Sequence, residues 1–216
     1  MDGIRTIQPP VMSAELREST LSTLTDKQHL ESTQIKESSM TGLEAMMVSI
    51  KGCTFENTEI SASRLKKASI SNTVFTNCLL FGSDFDSSGL TRVAIKKGMY
   101  SGIVLSAAVI EDVTFTEAKL NLANFRVAKL ERVEFVDCDL SEADFQGADL
   151  KSVLFKNCDL SKADFNSCTM GKVDLRGSNI ASVNGVAGLK GAKIDTAQLI
   201  TISHIMASEL GLEVDD

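Results

Sequence analysis

Cys138-Asp139-Leu140-Ser141-Glu142-Ala143-Asp144-Phe145-Gln146-Gly147-Ala148-Asp149-Leu150 states one pattern three times: a small residue, an aspartate, a bulky apolar residue, then two variable positions. Followed outward, the bulky position recurs every five residues from Leu30 to Ile180, 31 positions in unbroken register, of which only Ala45 is not large. A helix repeats its faces every 3.6 residues and a strand every two, so neither gives this beat. The most regular members, Phe115, Leu120, Phe125, Leu130, Phe135, Leu140, Phe145, Leu150, Phe155, Leu160 and Phe165, form the candidate core.

A second series lies two residues before each bulky one, from Val48 to Ser178, and every member except Ile103 is small or at most Val-sized. A gap of two places both residues on one side of an extended segment. The following gap of three breaks that alternation unless the chain turns a corner. A corner every five residues, always in the same sense, winds the chain into a closed coil with both series inside. Steps of twenty sort the bulky residues further. One column reads Phe55, Phe75, Ile95, Phe115, Phe135, Phe155, Leu175, and another reads Leu65, Phe85, Leu105, Phe125, Phe145, Phe165. The two intervening columns are almost wholly aliphatic. Four pentapeptides per coil, with phenylalanines facing across a square section, accounts for this. At ~4.8 Å per strand spacing, about 7.75 coils make a rod of roughly 37 Å.

The segments Ala118-Lys-Leu-Asn-Leu-Ala-Asn-Phe125, Cys138 to Leu150 and Cys158-Asp-Leu-Ser-Lys-Ala-Asp-Phe165 resemble the pentapeptide-repeat family, with its motif Ala-(Asp/Asn)-Leu-x-x. The resemblance spans roughly residues 48–183 and is best over 113–180. Between 48 and 112 it loosens, where Val74, Leu79, Met99, Val104 and Val109 replace the polar second residue. It implies an all-β solenoid, a right-handed quadrilateral parallel β-helix of about seven to eight coils. The handedness comes from the resemblance and not from the periodicity. The resemblance further implies a non-enzymatic scaffold that binds a protein partner. Some members bind DNA gyrase or topoisomerase as acidic mimics of duplex DNA and protect against quinolones, which makes gyrase the alternative reading. Several members also join two rods end to end through the C-terminal element, so a homodimer is expected from the same source.

The ends depart from the beat. Residues 1–29 read as a flexible arm, with adjacent Pro9 and Pro10, or as a short capping helix from Ser13 to about Leu24. Residues 30–185 are the repeat domain; residues 25–47 follow the register only loosely, because Gln28, Thr33 and Ser38 fill the second inward position, and read as a degraded first coil or an N-terminal cap. Residues 186–216 are a connector and a capping helix. Asp195-Thr-Ala-Gln198 reads as a capping box, Leu199, Ile202, Met206 and Leu210 share one helical face, and Gly211 suits the C′ position. A β-solenoid ends in unpaired backbone and exposed core, so it needs such a cap. That face is also the candidate interaction or dimer surface.

Charge and composition narrow the function. Net charge is −7, spread as −1 over 1–29, −3 over 30–185 and −3 over 186–216, which opposes direct nucleic-acid binding. No secretory leader and no apolar run long enough for a bilayer is expected, which points to a cytoplasmic protein. Cys53, Cys78, Cys138, Cys158 and Cys168 all occupy the small inward position and read as small hydrophobes, with neither a disulfide nor a metal expected. Asp139, Asp144, Asp149, Asp159, Asp164 and Asp174 form the candidate acidic surface. Each sits where a short polar side chain can bond a nearby turn, so structure is the leading reading over acid–base chemistry. Lys96-Lys-Gly-Met-Tyr-Ser-Gly-Ile103 is the one local irregularity, either a kink or bulge or a partner-binding spot. No catalytic, cofactor or metal residues are assigned.

The register makes a sharp prediction. Deleting Gly147 displaces every later residue from its column and should abolish cooperative unfolding in a denaturant titration. Deleting a whole coil of twenty residues should leave a shorter rod with a normal transition.

Overall fold

The periodic segments pair in parallel with the segment twenty residues further on, as in Phe115↔Phe135↔Phe155 and Asn124↔Asp144↔Asp164. This is a computed structural model, and it describes residues 6–19 and 24–212. The strands are β1 (Arg17–Ser19), β2 (His29–Glu31), β3 (Thr33–Lys36), β4 (Ser49–Lys51), β5 (Thr54–Glu56), β6 (Ser69–Leu79), β7 (Gly89–Met99), β8 (Val109–Thr116), β9 (Lys129–Val136), β10 (Asp149–Lys156) and β11 (Thr169–Gly171). Single bridges such as Lys119↔Asp139↔Asp159↔Asn179 and Val104↔Asn124↔Asp144 supply the remaining faces. The result is a parallel β-solenoid of about eight coils with helix α1 (Thr196–Glu209) at its end.

The five-residue beat is made by the corners. Every fifth residue, two after each bulky one, has a left-handed backbone, from Lys27 through Ser182. Among the described residues, 26 of the positive-φ positions are not glycine. On two sides of each coil the corner is also a hydrogen-bonded turn: Ala143 N donates to Leu140 O at 3.1 Å and Ala148 N to Phe145 O at 2.9 Å. A left-handed third residue within a four-residue turn is the type II pattern. On the other two sides the strand runs through the corner, as in β9 and β10.

Inside, like stacks on like. Phe115, Phe135 and Phe155 stack with centroids 4.8 and 5.0 Å apart, and Phe125, Phe145 and Phe165 at 4.8 and 5.2 Å. The two columns meet edge to face, Phe125 against Phe135 at 6.0 Å and Phe145 against Phe155 at 5.9 Å. These rings and the aliphatics between them, Leu120, Leu130, Leu140, Leu150 and Leu160, are all buried. Ile95 interrupts the first column between Phe75 and Phe115, and an apolar void of about 20 Å³ lies beside it. Tyr100 lines that void. Its hydroxyl is buried without a hydrogen-bond partner, and burial pushes its pKa well above the ordinary value.

Residues 96–103 contain no insertion. Lys96 pairs with Thr76 and Thr116, and Met99 with Leu79 and Lys119, all at twenty residues. Gly98 is required here: at φ 108°, an added Cβ would meet Cys78 O at 2.2 Å.

Both ends break the count. β1 pairs with β3 at sixteen residues (Arg17↔Thr33), so Arg17–Ser19 form a strand in place of the capping helix; residues 20–23 of that stretch lie outside the described residues. At the other end Asp174 bridges Lys193, nineteen residues on. A 3-10 turn at Val186–Leu189 replaces the last corner, and Gly188 allows it, since a Cβ there would meet Phe165 O at 1.9 Å.

Corner geometry sets a prediction. Val127 is β-branched, 60% exposed and at φ 50°, a conformation that costs such a side chain ~1–2 kcal/mol. Val127→Asn should therefore raise stability by about 1 kcal/mol in urea titration, whereas Gly98→Ala should lower it by about 3 kcal/mol.

Candidate interaction surfaces

In each pentapeptide the small and bulky residues point inward, which leaves the aspartate position and the two corner residues to face solvent. The aspartates are largely committed to the corners. Asp139 Oδ1 accepts from Ser141 N at 3.0 Å, Asp144 Oδ1 from Gln146 N at 2.9 Å, Asp159 Oδ1 from Ser161 N at 2.9 Å and Asp164 Oδ1 from Asn166 N at 2.8 Å. Asn124 and Asn179 do the same, so an oxygen and not a charge is what the corner needs. Asp174 accepts from Arg176 N at 3.1 Å and pairs with the Arg176 guanidinium at 2.6 Å, which holds its carboxyl below the ordinary range. Asp149 lies at a through-running corner and pairs instead with Lys151 at 2.7 Å, with the same consequence.

The six carboxylates do not share one side. Asp139 and Asp159 stand in one column with Lys119 and Asn179, and Asp144 and Asp164 in a second with Asn124 and Asn184. Asp149 belongs to a third beside Lys129, and Asp174 to a fourth beside Leu154. Arg126 reaches Asp144 at 3.0 Å. What the outer faces present is a mixed-charge surface.

The thiols have a role that composition does not reveal. Each lies within hydrogen-bond reach of a main-chain oxygen 23 residues earlier, Cys53 of Leu30, Cys78 of Phe55, Cys138 of Phe115, Cys158 of Phe135 and Cys168 of Phe145, and all but Cys168 also face the oxygen two residues back. Ser83, Ser88 and Ser178 in the same position likewise reach 23 residues back, Ser83 Oγ donating to Ile60 O at 2.6 Å. These side chains reach the coil below, whereas Thr33, Ser38, Thr58, Ser63 and Thr73 donate to the main-chain oxygen two residues back in their own coil. All five cysteines are free. The neighbouring Cys158 thiol, and then burial, push Cys138 far above the ordinary thiol range, and burial pushes Cys168 up to about 11.

Residues 108–184, which hold the most regular coils, match the family model described as a pentapeptide repeat region. These residues are a pentapeptide-repeat region. No curated protein matches the chain. Among solved structures, a trypsin-treated form of QnrB1, a plasmid-mediated fluoroquinolone resistance protein, is 17% identical and aligns over 94% of this chain and 100% of its own, with a TM-score of 0.49. HetL, a pentapeptide repeat protein involved in heterocyst differentiation regulation in the cyanobacterium Nostoc, is 18% identical over 78% of this chain and 87% of its own, with a TM-score of 0.29. Rfr23, a pentapeptide repeat protein of the cyanobacterium Cyanothece, is 19% identical over 61% of this chain and 64% of its own, with a TM-score of 0.26.

Beyond the pentapeptide-repeat region, α1 covers the open end of the last coil. Asp195 and Gln198 form a capping box, Gln198 N donating to Asp195 Oδ1 and Asp195 N to Gln198 Oε1, each at 3.0 Å. Gln198 does more than cap. Its buried Nε2 donates to Leu175 O at 2.6 Å and Ser178 O at 2.7 Å; Leu175 O also accepts from Ser178 N at 3.1 Å, so Ser178 O is the carbonyl that depends on it. Asp195 Oδ2 accepts from Gly177 N at 2.9 Å. Of the face Leu199, Ile202, Met206 and Leu210, Ile202 is buried against the rod, while the other three are 56%, 46% and 69% exposed. Ile200 and Leu212, which the helical face did not include, are 59% and 60% exposed. Met206 and Leu210 line a shallow groove of about 300 Å³ with Val186, Ala187 and Lys190. Among the described residues no helix is long and apolar enough to cross a membrane.

Removing the Gln198 side chain leaves Ser178 O without its donor, leaves Leu175 O only the turn bond from Ser178 N, and opens the capping box. Gln198→Ala should cost about 1–3 kcal/mol and raise amide exchange first in the last coil. Lowered pH should act on the same place: Gln198 N and Gly177 N hold the Asp195 carboxyl below its ordinary 3.8. A depressed folded pKa means that this contribution is complete above 3.8 and is lost as pH falls beneath it.

Proposed function

We propose that the chain is a non-enzymatic protein-binding rod whose contact face is the terminal helix, with a second copy of the chain as its first occupant. One observation carries this reading: the helix that closes the rod buries Gln198 and Ile202 yet leaves Leu199, Ile200, Met206, Leu210 and Leu212 exposed beside an apolar groove. Apolar side chains gathered at one end are what an end-to-end contact buries. The five free thiols fit a reducing, cytoplasmic setting. Domain limits of 1–29, 30–185 and 186–216 go with the proposal, the last unit being both cap and interface. Catalysis has no support in the geometry, because the interior is filled by stacked side chains and the aspartates serve corners.

Binding to DNA gyrase is the second reading. Its support is the outward-facing series Asp139, Asp144, Asp149, Asp159, Asp164 and Asp174. Their spread over four columns, among basic residues, favours the terminal helix instead. Sedimentation of the purified chain at micromolar concentration separates the two. We expect a dimer that Met206→Glu with Leu210→Glu converts to a folded monomer, and no effect on gyrase supercoiling. A monomeric wild type that inhibits gyrase, or protects it from quinolone, would reverse the order.

A further inference from the structure

The N-terminal arm lies along the rod. Gln8 N donates to Asp112 Oδ1 and Val11 N to Asn72 Oδ1, both at 3.1 Å, across 104 and 61 residues of sequence. The two acceptors share one corner column: Asn72, Arg92, Asp112 and Arg132 follow each other at steps of twenty. Each acceptor is aimed by the arginine of the next coil, Arg92 Nε donating to Asn72 Oδ1 at 2.8 Å and Arg132 Nε to Asp112 Oδ1 at 2.8 Å. Arg132 is anchored in turn by Glu111 and Glu131. Acceptor and arginine therefore alternate, giving a repeat of two coils, or ~9.6 Å at the usual strand spacing.

The arm has the matching period. Pro9 and Pro10 fix φ near −65° and push Gln8 into extended geometry. Such a chain rises ~3.1 Å per residue with three residues per turn, so one turn advances ~9.3 Å. Residues 8 and 11, one turn apart, thus present their N–H groups to acceptors two coils apart. Ile7 and Pro10, another pair one turn apart, are half-buried, whereas Val11 is 70% exposed. The two prolines bring no N–H that would need a partner. The stretch Thr6–Met12 is uncharged, and what it meets is a neutral amide oxygen and a carboxylate that Arg132 also pairs with.

We propose that the Asn72–Arg92–Asp112–Arg132 column is a docking site for an extended, proline-containing peptide segment, and that residues 7–12 are a resident ligand which a second segment of the same chemistry can displace. The site reads two main-chain N–H groups three residues apart, with prolines between them. Nothing in that recognition depends on the tether. The proposal is independent of the terminal helix, and its test leaves that helix untouched.

The test uses the full chain with Gln8→Pro and Val11→Pro, which removes both N–H groups while keeping the arm extended. Its probe is a fluorescently labelled synthetic peptide of residues 4–14, followed by anisotropy. We expect the arm-released chain to bind it, and wild type to bind about ten-fold more weakly because its own arm fills the site. A peptide with proline at both positions should not bind. Amide exchange of wild type supplies a measurement free of any variant: Gln8 and Val11 should be protected while Thr6 is not. The proposal fails if the released chain ignores the peptide, if wild type binds it equally well, if the proline-substituted peptide binds as tightly, or if both wild-type amides exchange at free-peptide rates.

Discussion

The hydrogen bond between main chains stacked one coil apart is the constraint on which this molecule depends. Parallel ladders place residue i on residue i+20 over most of the rod, so every chemical choice is repeated vertically. Phenylalanine rests on phenylalanine at the spacing of the strands, and aspartate on aspartate. A ring stack with centroids of 4.8 Å is thus a consequence of backbone spacing that the side chains then exploit. The ladder also dictates the corners. To keep four short faces under the same four faces below, the chain must turn at the same position in each pentapeptide, and it does so with a left-handed residue each time. Lysine, glutamate, arginine, leucine and even valine occupy that conformation. Tertiary pairing overrides local preference here, and the aspartate or asparagine oxygen that accepts an N–H two residues on supports the corner from outside.

A ladder of this kind cannot end itself. At its N-terminal side the chain shortens to a sixteen-residue step and closes with β1; at its C-terminal side it shortens to nineteen and hands over to a helix. The hand-over is chemical as well as steric. Gln198 spends both ends of one amide group, its oxygen on the helix start and its nitrogen on two carbonyls of the last corner. One side chain therefore joins the helical and solenoid hydrogen-bond systems. The exposed apolar remainder of α1 follows from this geometry, because a helix laid across a square end can bury only one narrow stripe.

Much of this was legible from residue order. The five-residue beat, the twenty-residue columns and the Asp195–Gln198 box are local or strictly periodic, and such signals survive in a single sequence. The rest depends on relations that periodicity does not encode. The cysteines read as small hydrophobes, and only the stacking shows each thiol facing a carbonyl 23 residues back. Leu199, Ile202, Met206 and Leu210 share a helical face, but which part of it meets the rod is set by the last corner, which buries Ile202 and leaves Ile200 and Leu212 outside. Residues 1–12 have almost no pattern of their own and read as a flexible arm. The placement of Gln8 and Val11 is decided by acceptors 104 and 61 residues away.

That last contact shows what an outer surface of this type can recognise. The corner columns of a four-sided solenoid present side chains at a fixed rise of ~4.8 Å. A helix, at 1.5 Å per residue, matches that rise poorly, and an ordinary strand laid across the coils alternates its N–H groups to opposite sides. A polyproline-like chain turns once in ~9.3 Å and keeps every third N–H on one side, so it is commensurate with every second coil. Column composition then determines whether the match is used. Gly52 lies below Asn72 and Ser152 above Arg132 in the same column, so the alternation of acceptor and arginine is confined to the stretch of rod where the arm lies. Selectivity in such a rod comes from the order of side chains along one corner, written independently of the core that holds the corner in place.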